Sequence, residues 1–151
     1  MHLEHQAQAI RIIGLELRTS NAQAAQSIPP HWARAMQPDA LAPIAGRLGS
    51  ELYAVYTHFE HAGRSNAGLY SLIIGVPVAA DAPQPPGFSH AVLPACWRAV
   101  FNSPPGQPER VVETWAEVWR RDDLPKAFVA DAERYGSDGS IALLIGLTHA
   151  P

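Results

Sequence analysis

One cysteine, Cys96, is the only thiol in this 151-residue chain, so an internal disulfide and any Cys-pair metal or redox motif are excluded. No basic cluster exceeds Arg120-Arg121, and the net charge of −3 comes from interspersed signs. The electrostatic footprint of a nucleic-acid binder is therefore missing, and direct nucleic-acid binding is not expected. No apolar run approaches the roughly 20 residues that cross a bilayer. The opening Met1-His2-Leu3-Glu4 has neither the basic nor the apolar region of a signal peptide. No membrane association is expected, and the cytoplasm is the default compartment. Catalytic signatures are also lacking: there is no G-x-S-x-G elbow, P-loop or G-x-G-x-x-G. His58-Phe59-Glu60-His61 is the nearest approach to a metal motif. On a strand it points His58 and Glu60 one way and His61 the other, unlike the helical H-E-x-x-H spacing. No metal and no cofactor are expected.

What is present is an ordinary globular composition, 47% hydrophobic and 17% charged, with length for one domain over residues 1–151. Residues 1–7 read as a loose lead-in. A strand-like pattern runs from Ala9 to Ser20, followed by the N-cap candidates Thr19-Ser20-Asn21. Pro29-Pro30 predicts a broken helix, about 22–27 and then about 30–37, with Trp32 and Met36 on its buried face. After a Pro- and Gly-punctuated linker at 38–50, Leu52–Glu60 and Gly68–Val78 read as an antiparallel hairpin. The proline-rich stretch 80–87 is the natural midpoint linker. Ser89–Ser103 reads as a strand with a bulge or edge at Pro94, and Pro108–Arg121 as the clearest helix, with Val111, Val112, Trp115, Val118 and Trp119 at helical spacing. A second hairpin, Ala127–Tyr135 with Ser140–His149, turns at Gly136-Ser137-Asp138-Gly139.

The order of events repeats. Trp32–Met36 aligns with Trp115–Trp119 at an offset of 83 residues, and Gly68–Val76 aligns with Gly139–Leu147 at an offset of 71. Two matching segments in the same order predict a duplicated β-α-β-β unit, about 10–79 and 88–149. The expected fold is α+β: an antiparallel sheet with two main helices, pseudo-two-fold symmetry and a pocket between the halves.

Leu52-Tyr53-Ala54-Val55-Tyr56-Thr57-His58-Phe59-Glu60 and Gly68–Gly75 resemble the central hairpin of GyrI-like effector-binding domains of bacterial regulators. Gly14–Ser20, Ile28-Pro29-Pro30-His31-Trp32, Leu93–Phe101 and Lys126–Tyr135 resemble further family segments, in order, over about residues 10–148. Ala132 stands where relatives carry Phe, which suggests a roomier core or pocket near Glu133. Ser140 stands where an acid is common, which removes one candidate negative charge. The resemblance implies a groove for hydrophobic, cationic or planar molecules with a buried glutamate as counter-charge.

Glu133 is the candidate for that glutamate, because a carboxylate in an aromatic cavity needs a cation or hydrogen-bond donors to stay ionised. The candidate aromatic lining is Tyr53, Tyr70, Trp97, Phe101 and Trp115, large residues interspersed with small ones. Trp119 and Tyr56 belong to the same set of strand and helix aromatics. The expected function is a stand-alone sensor or sequestration domain for a small molecule, acting on transcription only through a separate DNA-binding regulator. The alternative implied by the resemblance is a hydrolase of strained cyclopropane rings, with Glu133 beside Tyr53 or Trp97. A third option, carried by a related duplicated fold, is haem binding.

Overall fold

The computed structural model describes all of residues 1–151. Eight strands form one antiparallel sheet: β1 (His2–Gln6), β2 (Ile10–Ser20), β3 (Leu52–Thr57), β4 (Leu69–Val78), β5 (Ser89–Leu93), β6 (Cys96–Ser103), β7 (Ala130–Tyr135) and β8 (Ile141–Leu147). Two helices, α1 (Ala24–Ala35) and α2 (Val111–Arg120), lie on one face, the second preceded by a 3-10 turn at Pro108–Arg110. The strand order is β1-β6-β8-β7-β3-β4-β2-β5. It reads alike from both edges: β2-α1-β3-β4 and β6-α2-β7-β8 follow the same path and meet where β3 pairs with β7. The outermost strands are exchanged, since β1 pairs with β6 and β5 with β2.

Three local readings are corrected. The lead-in at 1–7 is a strand, because Gln6 joins the sheet through its side chain as well as its backbone: its amide nitrogen donates to the carbonyl of Leu93 at 2.9 Å. The single strand expected over 89–103 is two, split at Pro94-Ala95, where proline cannot donate to a ladder. The helix expected to break at Pro29-Pro30 is continuous. Each proline deletes a backbone donor at a cost of about 3 kcal/mol in a helix interior, but His31 fastens the helix to the sheet. Its Nε2–H donates to Leu15 O (3.0 Å) and Leu72 O (3.1 Å), while Nδ1 accepts from Arg34 Nη2 (2.9 Å). Burial first, and the Arg34 charge second, lower the His31 pKa and keep the ring neutral. The buried face of α1 is accordingly His31 and Ala35, with Met36 left 62% exposed.

The face opposite the helices is buried against itself. The sheet curls until edge strand β5 packs on β3 and β7, closing a cluster that includes Ile12, Tyr53, Ile73, Leu93, Ala132 and Leu144. Such curvature requires close backbone approach at Gly14 and Gly75, which pair across β2 and β4. A Cβ on Gly75 would lie 2.0 Å from the carbonyl oxygen of Ile13, and one on Gly14 2.1 Å from that of Ile74. Gly75→Ala should therefore lower stability by about 2–3 kcal/mol or more, as overpacking of rigid backbone does. Chemical denaturation of the variant measures it, and a loss under 0.5 kcal/mol would contradict this account of the bend.

Candidate functional site

The two helices flank a cleft of about 920 Å³ whose floor is β3 and β7 and whose lining is mostly hydrophobic. Ile28, Pro29 and Trp32 of α1 face Val111, Trp115 and Trp119 of α2 across it. Alternation along β7 turns Asp131, Glu133 and Tyr135 to this face, and all three line the cleft. Its volume falls within the range of small-molecule sites.

Glu133 is 3% exposed, yet it has no cationic partner within ion-pair distance. Three neutral donors hold it instead. Tyr56 Oη donates to Oε1 at 2.9 Å, Trp115 Nε1 to the same oxygen at 2.7 Å, and Tyr135 Oη to Oε2 at 2.6 Å. Burial raises the Glu133 pKa, and these donors oppose it. The charge in turn adds to burial in raising the pKa values of Tyr56 and Tyr135, so both hydroxyls stay protonated as donors. Edge-on ring contacts fix the donors: Trp115 meets Tyr56 with centroids 5.1 Å apart, and Trp32 meets Tyr135 at 5.3 Å.

The internal duplication explains how the site arises. Tyr56 pairs with Leu72, and Glu133 with Leu143. Leu72 and Leu143 are matched at the offset of 71 between the closing strands, so Tyr56 and Glu133 occupy equivalent positions of the two halves. Pairing of β3 with β7 brings them into register two residues apart: Ala54 opposes Glu133, and Tyr56 opposes Asp131. A donor in one half thus meets an acceptor in the other.

Of the six residues named from sequence, Glu133, Tyr70 and Trp115 line this cleft. Tyr53, Trp97 and Phe101 do not. Tyr53 lies on the opposite, inward-curled face. Its hydroxyl donates to Glu51 at 3.4 Å. Phe101 is 1% exposed in the core beneath α2. Trp97 stacks on His5 of β1 at 5.0 Å, at the sheet's far edge. Glu133 therefore has neither Tyr53 nor Trp97 beside it, the arrangement expected for the ring-opening hydrolase. Nor does Ala132 widen the pocket: it is fully buried on the other face, where a small side chain belongs to the curled core. Tyr56 and Trp119, which the sequence placed among the same aromatics, also line the cleft, whereas Trp32 and Tyr135 were not expected there. Among the histidines, cysteine and acids no group is arranged to hold a metal ion, and no helix is long and apolar enough to cross a membrane.

The chain is similar over nearly its whole length to solved structures of low sequence identity. An integron cassette protein from the mobile metagenome of Vibrio cholerae has a TM-score of 0.73 at 18% identity, covering 96% of this chain and 94% of the other. SAV2435 bound to tetraphenylphosphonium has a TM-score of 0.75 at 16% identity, covering 97% and 93%. A Staphylococcus aureus MU50 protein, provisionally assigned to bacterial transcription regulation, has a TM-score of 0.71 at 18% identity, covering 99% and 97%. No curated protein matches the sequence. At these identities the structures establish the fold, and the sequence match establishes the family. The family model for the GyrI-like small molecule binding domain spans residues 4–139, and the chain belongs to that family.

Proposed function

We propose that the cleft captures hydrophobic, cationic or planar small molecules, as an effector-binding, sensing or sequestering domain. The carrying observation is Glu133: a carboxylate 3% exposed at the base of an apolar cleft, held by three neutral donors and by no cation. A lipophilic cation would supply the missing positive charge while burying its apolar surface against Trp32, Trp115 and Tyr70. The similar fold that binds tetraphenylphosphonium supports this ligand class. The absence of any basic cluster beyond Arg120-Arg121 supports action on transcription through a separate DNA-binding regulator, where such action occurs.

The test compares tetraphenylphosphonium with neutral triphenylphosphine oxide by quenching of tryptophan fluorescence. Glu133→Gln keeps the shape, and Oε1 can still accept from Tyr56 and Trp115, while the Tyr135 hydroxyl can turn to accept from the new amide. This variant should lose the cation at least about ten-fold, or 1.4 kcal/mol, and keep the neutral compound within about two-fold. Equal loss of both would mean that Glu133 acts only through cleft structure. Loss of neither would put the charge recognition elsewhere.

A further inference from the structure

Two residues before Glu133 on β7, Asp131 also opens onto the cleft. Its Oδ1 accepts the backbone N–H of Gly146 at 2.8 Å, where β7 and β8 diverge. Its Oδ2 has no hydrogen-bond partner, and since no unpartnered polar side-chain atom is fully buried, that oxygen keeps some exposure in a residue that lines the cleft. No basic group lies within ion-pair distance of Asp131. The floor therefore carries two carboxylates with different engagement: Glu133, saturated by three donors, and Asp131, with one oxygen free. Residues two apart on a strand are separated by about 7 Å, a spacing that one drug-sized molecule can bridge.

We propose that Asp131 is a second anionic point on the cleft floor, and that the site prefers hydrophobic dications, one centre facing Glu133 and the other Asp131. This rests on the cation-binding reading above and narrows its ligand class. Lys126, the only lysine in the chain, also lines the cleft. Its ammonium acts on Asp131 as a charge rather than as a close partner. That charge partly balances Asp131. A ligand's second cation takes over that balance, and the flexible lysine stem leaves room for the ammonium to swing outward.

The groups around Asp131 set its pH range. Burial pushes its carboxyl up to about 6. The Gly146 N–H from β8, Arg98 from β6 and Lys126 from the segment before β7 pull the other way. Tyr56 opposes it on β3, and Glu133 shares its strand face. Asp131 is ionised above that point, so the preference for a dication should grow as pH rises through about 6.

The probes are crystal violet and methyl green, which share a triarylmethane frame and differ by an N-alkylation that adds a second positive charge. At pH 7.5, Asp131→Asn, which keeps the acceptor for Gly146, should weaken methyl green about ten-fold and crystal violet less than two-fold. Lys126→Met should move methyl green the other way, about three-fold tighter. It reports on the same point if the Asp131 variant folds poorly. Equal changes for both dyes in both variants, or no change in either, would overturn the two-point site while leaving the Glu133 reading intact. If Glu133→Gln leaves crystal violet unaffected, or if neither dye binds the unaltered protein at millimolar concentration, the cation reading itself fails and this one with it.

Discussion

Arg98→Ala is expected to destabilise the protein by about 3–5 kcal/mol, since three acceptors lose their donor at about 1–3 kcal/mol for each one left buried and unpaired. Arg98 is 1% exposed and among the largest fully buried side chains. Its guanidinium donates from Nε to Gln6 Oε1 (2.9 Å), from Nη1 to Ala130 O (2.7 Å) and from Nη2 to Pro94 O (2.9 Å). One planar fork thus ties together the exchanged strand β1, the β5–β6 corner and the start of β7. Without it, two carbonyls and the Gln6 amide oxygen lose their donor in places that water reaches poorly. Asp131 also loses a stabilising positive charge. For a domain of this size each kcal/mol is worth about 2–4 °C, so melting should fall by about 10 °C or more. Arg98→Met, which keeps the apolar stem, should recover little, because the fork and not the stem makes the ties. A loss below 1 kcal/mol for Arg98→Ala would mean that the three contacts are incidental. The strand register adds a reason for this residue. Arg98 pairs with Gly146 as Gly14 pairs with Gly75 in the other half, so one half solves the bend with bare backbone and the other with a buried arginine beside a glycine. The Arg98 Nη1 would lie 2.9 Å from a Cβ at position 146.

Trp115→Ala is expected to weaken a lipophilic cation about thirty-fold or more, the scale of a binding hot spot of 2 kcal/mol. Two effects add. The indole forms the α2 wall of the cleft, between Tyr56 at 5.1 Å and Trp119 at 6.2 Å. Its Nε1–H also supports the anionic form of Glu133. Losing that donor moves the Glu133 pKa further in the direction in which burial already drives it, upward. Because the cation needs the ionised carboxylate, the pH midpoint of binding should move to higher pH in the variant. Affinity should then fall more at low pH than at high pH. Trp115→Phe separates the effects: it keeps most of the apolar wall and loses the donor, so it should shift the pH midpoint with a smaller loss at high pH. Titrations across pH 5–9 would measure both variants. An unshifted midpoint in Trp115→Phe would show that the hydrogen bond does not govern the charge state. Unchanged affinity in Trp115→Ala would remove this tryptophan from the site. The fold should tolerate these changes better than loss of Arg98, since Trp115 is only half-buried.

Much of the architecture could be read along the chain because it is encoded locally and twice. The turn at 136–139, the apolar closing strands and the amphipathic Val111–Trp119 pattern each follow from short-range periodicity or turn chemistry. The equivalence of Leu72 with Leu143 followed from repetition alone. The family segments also marked Glu133, and strand alternation puts Asp131 and Tyr135 on the same face. What escaped the sequence depends on contacts between distant residues. Nothing near Pro29-Pro30 announces that His31 will reach two carbonyls on β2 and β4 and carry the helix through its prolines. Nothing in residues 1–7 shows that Gln6 will be clamped by Arg98, 92 positions away.

Which aromatics face the cleft was likewise a tertiary decision. Tyr53 and Tyr56 differ by three positions on one strand, so the pleat sends them to opposite faces. Local pattern alone does not say which face the helices cover, because both faces are apolar. The curl permitted at Gly14 and Gly75 buries the Tyr53 face against β5, and the β3–β7 pairing leaves the Tyr56 face as the floor of the cleft. The sequence by itself determined that two α/β units would carry a carboxylate among aromatics. The pairing of one unit with the other decided that Tyr56, Trp115 and Tyr135 would be the groups to hold it, because their donors converge on Glu133 only once the two halves meet.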